Sequence, residues 1–211
     1  GRSDVYAIAP NPEAAILSAG HAANGAFWID NLNGKWATTT YYKGVPWYVD
    51  RYNNGPESLS ARLESMVWTP SLPTNQYTAF PYLLDELPFK HTFQERDLYC
   101  YPNLKTSPFV NAEITRLAKQ FLNYGAFGTR SCPDMLSVTY YAGNFRTLMD
   151  KEYTREIQDT YYQLDQSVGE LLDAIDNKVG LSNTLIVFTG SGYYKSEESY
   201  PDGLQVHGGE F

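Results

Sequence analysis

Cysteine, histidine and basic charge are all scarce in this chain. Two cysteines and three histidines in 211 residues leave little material for a zinc site, and no CxxC or HxxxH pairing occurs. Lysine and arginine number 16 against 24 acidic residues, a formal net charge of −8. That balance excludes nucleic acid as the expected partner, because a phosphate backbone selects for clustered cations. No apolar run reaches the length of about eighteen residues that a membrane span needs. There is no internal repeat and no low-complexity tract. The opening Gly1-Arg2-Ser3-Asp4 has no signal-peptide character and reads as a cut start, so it carries no information on export.

What the chain does have is aromatic surface. Aromatic residues make up 15% of it, led by 18 tyrosines, which suits half-polar contact surfaces in a loop-rich cap. With 43% hydrophobic and 19% charged residues, the composition is that of a globular domain with one substantial core.

Residues 5–17 read as a strand, a Pro-Asn-Pro turn and a short apolar run. Two aromatic, β-branched runs, Gly25-Ala26-Phe27-Trp28-Ile29-Asp30 and Lys35-Trp36-Ala37-Thr38-Thr39-Thr40-Tyr41-Tyr42, flank an Asn/Gly loop and predict a β-hairpin. A short helix is expected over 45–52. Between 53 and 108 periodicity is lost and Pro, Tyr, Trp and Asn dominate, the signature of an ordered cap. Asn111 is expected to cap a helix whose apolar stripe is Ile114, Leu117, Ala118, Phe121 and Leu122, with Gly125 as its stop. A buried strand over 135–140, an amphipathic helix over 151–178 and a second buried strand over 184–189 compose a βαβ unit. The helix stripe is Ile157, Tyr161, Leu164, Val168, Leu171, Leu172 and Ile175. Asp159, Asp165, Asp173 and Asp176 fall off it and are expected to face solvent. The fold class is α/β: a partial three-layer core with a β-hairpin and an aromatic, loop-rich cap. The chain divides as one domain over 1–211, with a strand-and-hairpin part (1–52), the cap (53–110) and the helix-and-βαβ core (111–211).

In open α/β sheets ligands bind beyond the carboxyl ends of the strands. A metallohydrolase would place carboxylates and imidazoles there. The segments that follow the two core strands offer instead Asn144 in Tyr140-Tyr141-Ala142-Gly143-Asn144-Phe145-Arg146, and Ser191 in Thr189-Gly190-Ser191-Gly192-Tyr193. Cys100 and Cys132 both sit beside turn chemistry; they read either as a disulfide of an exported protein or as two unrelated buried thiols. His21 suits a hydrogen-bonded turn, and His91 has no partner at useful sequence spacing. His207 could approach Ser191 only if the intervening loop folds back, and Thr-Gly-Ser-Gly is not a nucleophile elbow. The acidic stretch 195–202 reads as a solvated loop rather than a calcium site.

Several motifs resemble one family. Ala15-Ile16-Leu17-Ser18-Ala19-Gly20-His21, Asn24-Gly25-Ala26-Phe27-Trp28-Ile29-Asp30, Gly34-Lys35-Trp36 and Thr38-Thr39-Thr40-Tyr41-Tyr42 are similar to segments of the monomeric, phosphate-irrepressible bacterial alkaline phosphatases. So are Phe89-Lys90-His91-Thr92-Phe93, Ser107-Pro108-Phe109-Val110-Asn111 and the 184–189 run. These enzymes belong to the alkaline phosphatase superfamily, with its type I phosphodiesterase/nucleotide pyrophosphatase branch. The resemblance implies a phosphate-ester hydrolase fold using two zinc ions and a Thr or Ser nucleophile, exported to the periplasm. It also implies that the nucleophile and one metal-binding Asp would precede this stretch and a last metal-binding His would follow it.

Position by position the chain departs from that pattern. The family's phosphoryl-gripping Lys-x-Arg falls on Asn11 and Glu13, its Asp-x-x-x-His on Asn144 and Leu148, and its Asp-His-Gly on Ser191, Gly192 and Tyr193. The expectation is therefore a catalytically degenerate domain with no cofactor of its own, acting as a binding or scaffold module for a ligand or protein still to be identified. It is expected to be a periplasmic or otherwise exported monomer. The alternative is a piece of an active phosphomonoesterase or phosphodiesterase whose catalytic residues lie outside this chain. Trp47, Trp68 and Tyr77 are the expected exposed aromatic binding surface.

Overall fold

The computed structural model describes residues 3–77, 89–145 and 154–190. Its centre is a four-stranded sheet in the order β3-β2-β1-β6, made of β1 (Val5–Ala9), β2 (Gly25–Ile29), β3 (Trp36–Ala37) and β6 (Met135–Val138). β1 pairs in parallel with both β2 and β6, Ile8 standing opposite Phe27 on one side and Val138 on the other. Ala7, Ile8 and Ala9 are wholly buried, as expected of a parallel strand covered on both faces.

The short apolar run after β1 is a helix, α1 (Pro12–Ala19), with Pro12 in its first turn, where the missing N–H costs nothing. The βαβ unit of this sheet is thus β1–α1–β2. Its hairpin neighbour follows the expected place, with Trp36 opposite Ile29, but the second strand is only two residues long. The turn is held by the Asp30 carboxylate, which accepts from the amides of Leu32 (2.9 Å) and Asn33 (3.1 Å). Gly34 has φ +66°, and a Cβ there would sit 2.1 Å from the Tyr101 ring, so no other residue fits.

Helices α2 (Trp47–Asn53), α3 (Leu59–Arg62) and α4 (Cys100–Leu104) and a two-residue ribbon of β4 (Val67–Trp68) with β5 (His91–Thr92) give the aromatic stretch its order. α5 (Pro108–Tyr124) buries the whole expected stripe against the sheet, and Gly125 stops it with its N–H on the Phe121 carbonyl at 2.8 Å. Its start differs from expectation. Ser107 and Pro108 begin the helix, and Asn111 lies one turn inside, fully buried. The Asn111 side chain bonds the Tyr141 backbone twice, donating to its carbonyl and accepting from its amide, each at 2.7 Å. That pins the segment after β6 to α5.

α6 (Thr154–Lys178) packs along α5 with Leu171 of the expected stripe buried, Ile175 against the core and Asp165, Asp173 and Asp176 exposed, but its first turns depart from the expected pattern. Asp159 and Thr160 are fully buried, while Tyr161 is 53% exposed. Asp159, expected in solvent, instead accepts from Trp68 Nε1 (2.6 Å), Tyr77 OH (2.7 Å), the Ser71 amide (2.9 Å) and Gln163 Nε2 (2.6 Å). Four donors compensate the burial of one carboxylate.

Two further expectations are overturned. Residues 184–189, expected as a buried strand, pair with nothing among the described residues and stand largely exposed. Cys100 and Cys132 are both free thiols, so the disulfide reading gives way to two separate cysteines.

A second buried carboxylate ties the sheet edge to the helices. Glu113 of α5, 1% exposed, accepts from Trp36 Nε1 (3.1 Å) and from Tyr52 OH (2.9 Å), and pairs with the Arg62 guanidinium. Burial pushes its carboxyl pKa up, and Arg62, Tyr52 and Trp36 pull against that shift. Removing one member of such a network strands the others. Glu113→Leu should lower the unfolding free energy by about 3–5 kcal/mol in urea denaturation followed by tryptophan fluorescence. A loss below about 1 kcal/mol would show that the network contributes little.

Candidate functional site at the carboxyl edge of the sheet

β1, β2 and β6 run parallel, so the segments that leave them emerge along one edge of the sheet. β1 leads to Asn11, β2 to Asp30 and Asn31, and β6 to the 139–145 segment. Asn11 and Asn31 meet there through Lys105, while Asn144 lies farther along the segment that leaves β6.

Asn11 is the residue before α1, with extended backbone and no side-chain bond to the helix amides. Its Oδ1 accepts from Lys105 Nζ at 3.2 Å, and Asn31 Oδ1 accepts from the same ammonium at 2.6 Å. Glu13 is exposed in the first turn of α1, where a carboxylate is favoured by the helix dipole. Lys105 itself is only 5% exposed. Burial lowers its pKa to about 8, against the opposing pull of Asp30 and Glu13. Sequence reasoning missed this lysine. Its only signal is a cation between Leu104 and the Ser107-Pro108 helix start, where a polar loop residue would be unremarkable.

Asn144 is 1% exposed. Its carbonyl accepts from Tyr141 OH at 2.5 Å, so a short loop closes on itself after β6. The next residue, Phe145, packs on the His91 ring at a centroid distance of 4.4 Å, with Trp68 edge-on at 5.2 Å. His91, which has no near partner in sequence, stands 2.8 Å from Glu156 Oε1 across the fold. The cap aromatics thus hold the end of β6 and the start of α6 in one block. His21 lies elsewhere, exposed, with Nδ1 3.4 Å from Tyr41 OH.

Leu148, Ser191, Gly192, Tyr193 and His207 lie outside the described residues, as does the acidic stretch 195–202. Of the three aromatic residues expected as an exposed surface, only Trp47 is exposed, at 58%. Trp68 and Tyr77 are buried because their polar tips serve Asp159. A cavity of about 180 Å³ opens beside Asn31, lined also by Leu32, Arg96, Asp97 and Cys100; Asn11, Glu13 and Asn144 take no part in it.

Among the described residues, this edge presents the amides of Asn11 and Asn31, the shielded Lys105 ammonium and the carboxylates of Asp30 and Glu13. A phosphoryl group needs outward-facing cationic donors. Here the Lys105 ammonium gives hydrogens to two amide oxygens, with Asp30 and Glu13 as its charged neighbours. An asparagine side chain carries neither the positive charge that grips a phosphoryl group nor the negative charge that offsets a divalent cation. Among the described residues, no three His, Cys, Asp or Glu side chains converge as a ligand set. No helix among them is long and apolar enough to cross a membrane.

The Lys105 shift sets a pH dependence. Its folded pKa, about 8, lies below the ordinary 10.5, so the unfolded chain binds the extra proton more tightly between those values. Stability therefore rises with pH through that window, and the burial penalty is fully present below it. Lys105→Met removes this titration. Relative to that variant, the wild-type unfolding free energy should gain on the order of 2 kcal/mol between pH 8 and 10.5. A difference that stays constant with pH would contradict the buried ammonium.

Comparison with known proteins gives this edge its context. No family profile matches the chain. It is 31% identical over 196 residues to alkaline phosphatase PafA of Elizabethkingia meningoseptica, a match covering 87% of this chain and 36% of that protein. It is 25% identical over 201 residues to alkaline phosphatase PhoV of Synechococcus elongatus, covering 89% of this chain and 36% of that one. A protein named calcium-transporting ATPase from Myroides odoratus is 26% identical, covering 95% and 39%. Among solved structures, a four-substitution variant of PafA superposes with a TM-score of 0.69 at 31% identity, over 86% of this chain and 37% of that one. Wild-type PafA gives 0.66 at 29% identity with the same coverage. The chain spans between a third and two-fifths of the curated relatives it matches. Over that span it is a homologue of the alkaline phosphatases and carries the α/β fold of the alkaline phosphatase superfamily.

Proposed function

We propose that this stretch of the superfamily fold is catalytically degenerate and works as a binding or scaffold module. The observation that carries the reading is the Asn11–Lys105–Asn31 arrangement at the carboxyl edge. The position that resemblance assigns to a phosphoryl-gripping cation holds an amide, which accepts a hydrogen bond where a cation would offer one. Glu13, two residues on, adds a negative charge where a phosphate would approach, and like charges repel. Asn144 supports the same reading. An amide oxygen is a weaker metal ligand than a carboxylate and brings no charge to offset a divalent cation.

Export as a monomer is the reading that the resemblance supports for this protein. The competing reading is a piece of an active phosphate-ester hydrolase. The names of the relatives favour it, since two are alkaline phosphatases. The two readings differ in turnover. The full-length polypeptide should hydrolyse p-nitrophenyl phosphate and bis-p-nitrophenyl phosphate no faster than buffer, and Asn144→Ala should change nothing. Turnover that disappears on Asn144→Ala would overturn the degenerate reading and establish a rebuilt catalytic site.

A further inference from the structure

The cavity beside Asn31 lies between the turn that leaves β2 and the segment 94–100 that leads into α4. Each wall is fixed by its own bonds. The Asp30 carboxylate holds the first, and Lys105, just past α4, donates to Asn31 Oδ1 at 2.6 Å. The second wall is a pair of successive turns. The Asp97 amide donates to the Gln94 carbonyl at 2.9 Å and the Cys100 amide to the Asp97 carbonyl at 3.0 Å. Asp97 Oδ1 also accepts from the Tyr99 amide at 2.9 Å. The Tyr101 ring lies against Gly34 and locks one wall to the other. The hollow is therefore shaped in advance, which lowers the ordering cost of filling it.

Both walls carry apolar side chains that gain nothing from water. Leu32 is 81% exposed, Leu98 73% and Tyr99 64%. Exposed apolar groups collected around one hollow mark a contact surface. Glu95 and Asp97 line the same hollow, and no ion pair among the described residues includes either. Arg96, between them, donates its Nε to Gln94 Oε1 at 2.7 Å. Lys105, beyond Asn31, has Asp30 and Glu13 as charged neighbours. Carboxylates thus outnumber cations here, in a chain of formal charge −8, and the local field is negative. The Cys100 thiol on the lining reports that field. Burial pushes its pKa up, and the charges of Asp97 and Glu95 push the same way.

Size and charge together select the occupant. The cavity holds about 180 Å³, the liquid volume of roughly six waters. Small-molecule sites run to roughly 300–1,000 Å³ and enclose most of their ligand. This one is smaller, and its apolar rim spreads beyond it. A hollow for one side chain inside a wider contact is the geometry of an interface anchor. Lysine and arginine carry a charged head on an apolar stem, so the stem suits the leucine walls and the head suits the two carboxylates. A second copy of this chain, at −8, would bring charge of the same sign to the face. We infer that this face docks a basic segment of a partner protein, anchored by one lysine or arginine side chain between Leu32 and Leu98 and facing Glu95 and Asp97. The inference deepens the binding reading proposed above and rests on it. The two fail separately, because turnover of phosphate esters tests that reading and peptide binding tests this one.

Selection of a displayed library of random heptapeptides on the immobilised full-length polypeptide tests this, with fluorescence anisotropy of the enriched sequences. Enriched peptides should carry a lysine or arginine beside apolar residues. Replacing that residue by its uncharged counterpart, norleucine or citrulline, should weaken binding at least about tenfold. Glu95→Gln combined with Asp97→Asn should weaken it as much. Asparagine at 97 keeps the Oδ1 that receives the Tyr99 amide, so the Tm of this variant should stay within about 2 °C of the wild type. Leu98→Ser, at an exposed position, should weaken every enriched peptide and leave the Tm unchanged. Failure to enrich basic peptides would overturn the inference. So would enriched peptides whose affinity ignores the changes at Glu95 and Asp97. Enrichment of acidic peptides would overturn it in favour of Arg96 as the anchor. Butylammonium binding as tightly as the peptides would overturn it in favour of a small-amine site.

Discussion

The fold depends most on a carboxylate placed where no carboxylate is comfortable. Glu113 sits inside α5, 1% exposed, and its oxygens are reached by the Trp36 indole from the sheet edge, the Tyr52 hydroxyl from α2 and the Arg62 guanidinium from α3. A desolvated carboxylate costs far more than it returns unless every lone pair is used. Each of those three donors is therefore fixed in place, and with it the element that carries it. Asp159 repeats the device on α6, gathering Trp68, Ser71 and Tyr77. Two buried acids thus give an aromatic stretch with little regular structure a definite shape. They do what apolar periodicity does elsewhere in the chain.

That device also explains which parts of the fold were legible in the sequence. The α5 stripe and its Gly125 stop follow from helical spacing alone, and the Gly25–Ile29 strand follows from its composition. Residues whose placement depends on a distant partner were not legible. Asp159 looks solvent-facing on a helical wheel, because the wheel sees only its own helix and not the three donors that approach from 67–77. Asn111 has the chemistry of a helix cap, but Pro108 fixes an earlier start and leaves Asn111 free to pin Tyr141. His91 and Glu156, 65 residues apart, meet only through the tertiary fold.

The candidate site divides the same way. Asn11, Glu13 and Asn144 are singled out by the motif resemblance, and the structure sets Asn11 and Glu13 just past the end of β1. What Asn11 does in place of gripping an anion is not readable, since Lys105 arrives from a different element. Its ammonium, with Asn31 as second acceptor, ties the ends of β1 and β2 to α4. The edge that binds ligands in related folds here carries an internal bond. Conversion of a binding edge into a brace is what the proposed degeneracy means in physical terms.

The zinc content of the full-length polypeptide, purified without chelators and measured by inductively coupled plasma mass spectrometry, tests that claim most directly. The account predicts substoichiometric metal that dialysis removes. Tightly held zinc approaching two ions per chain would contradict it.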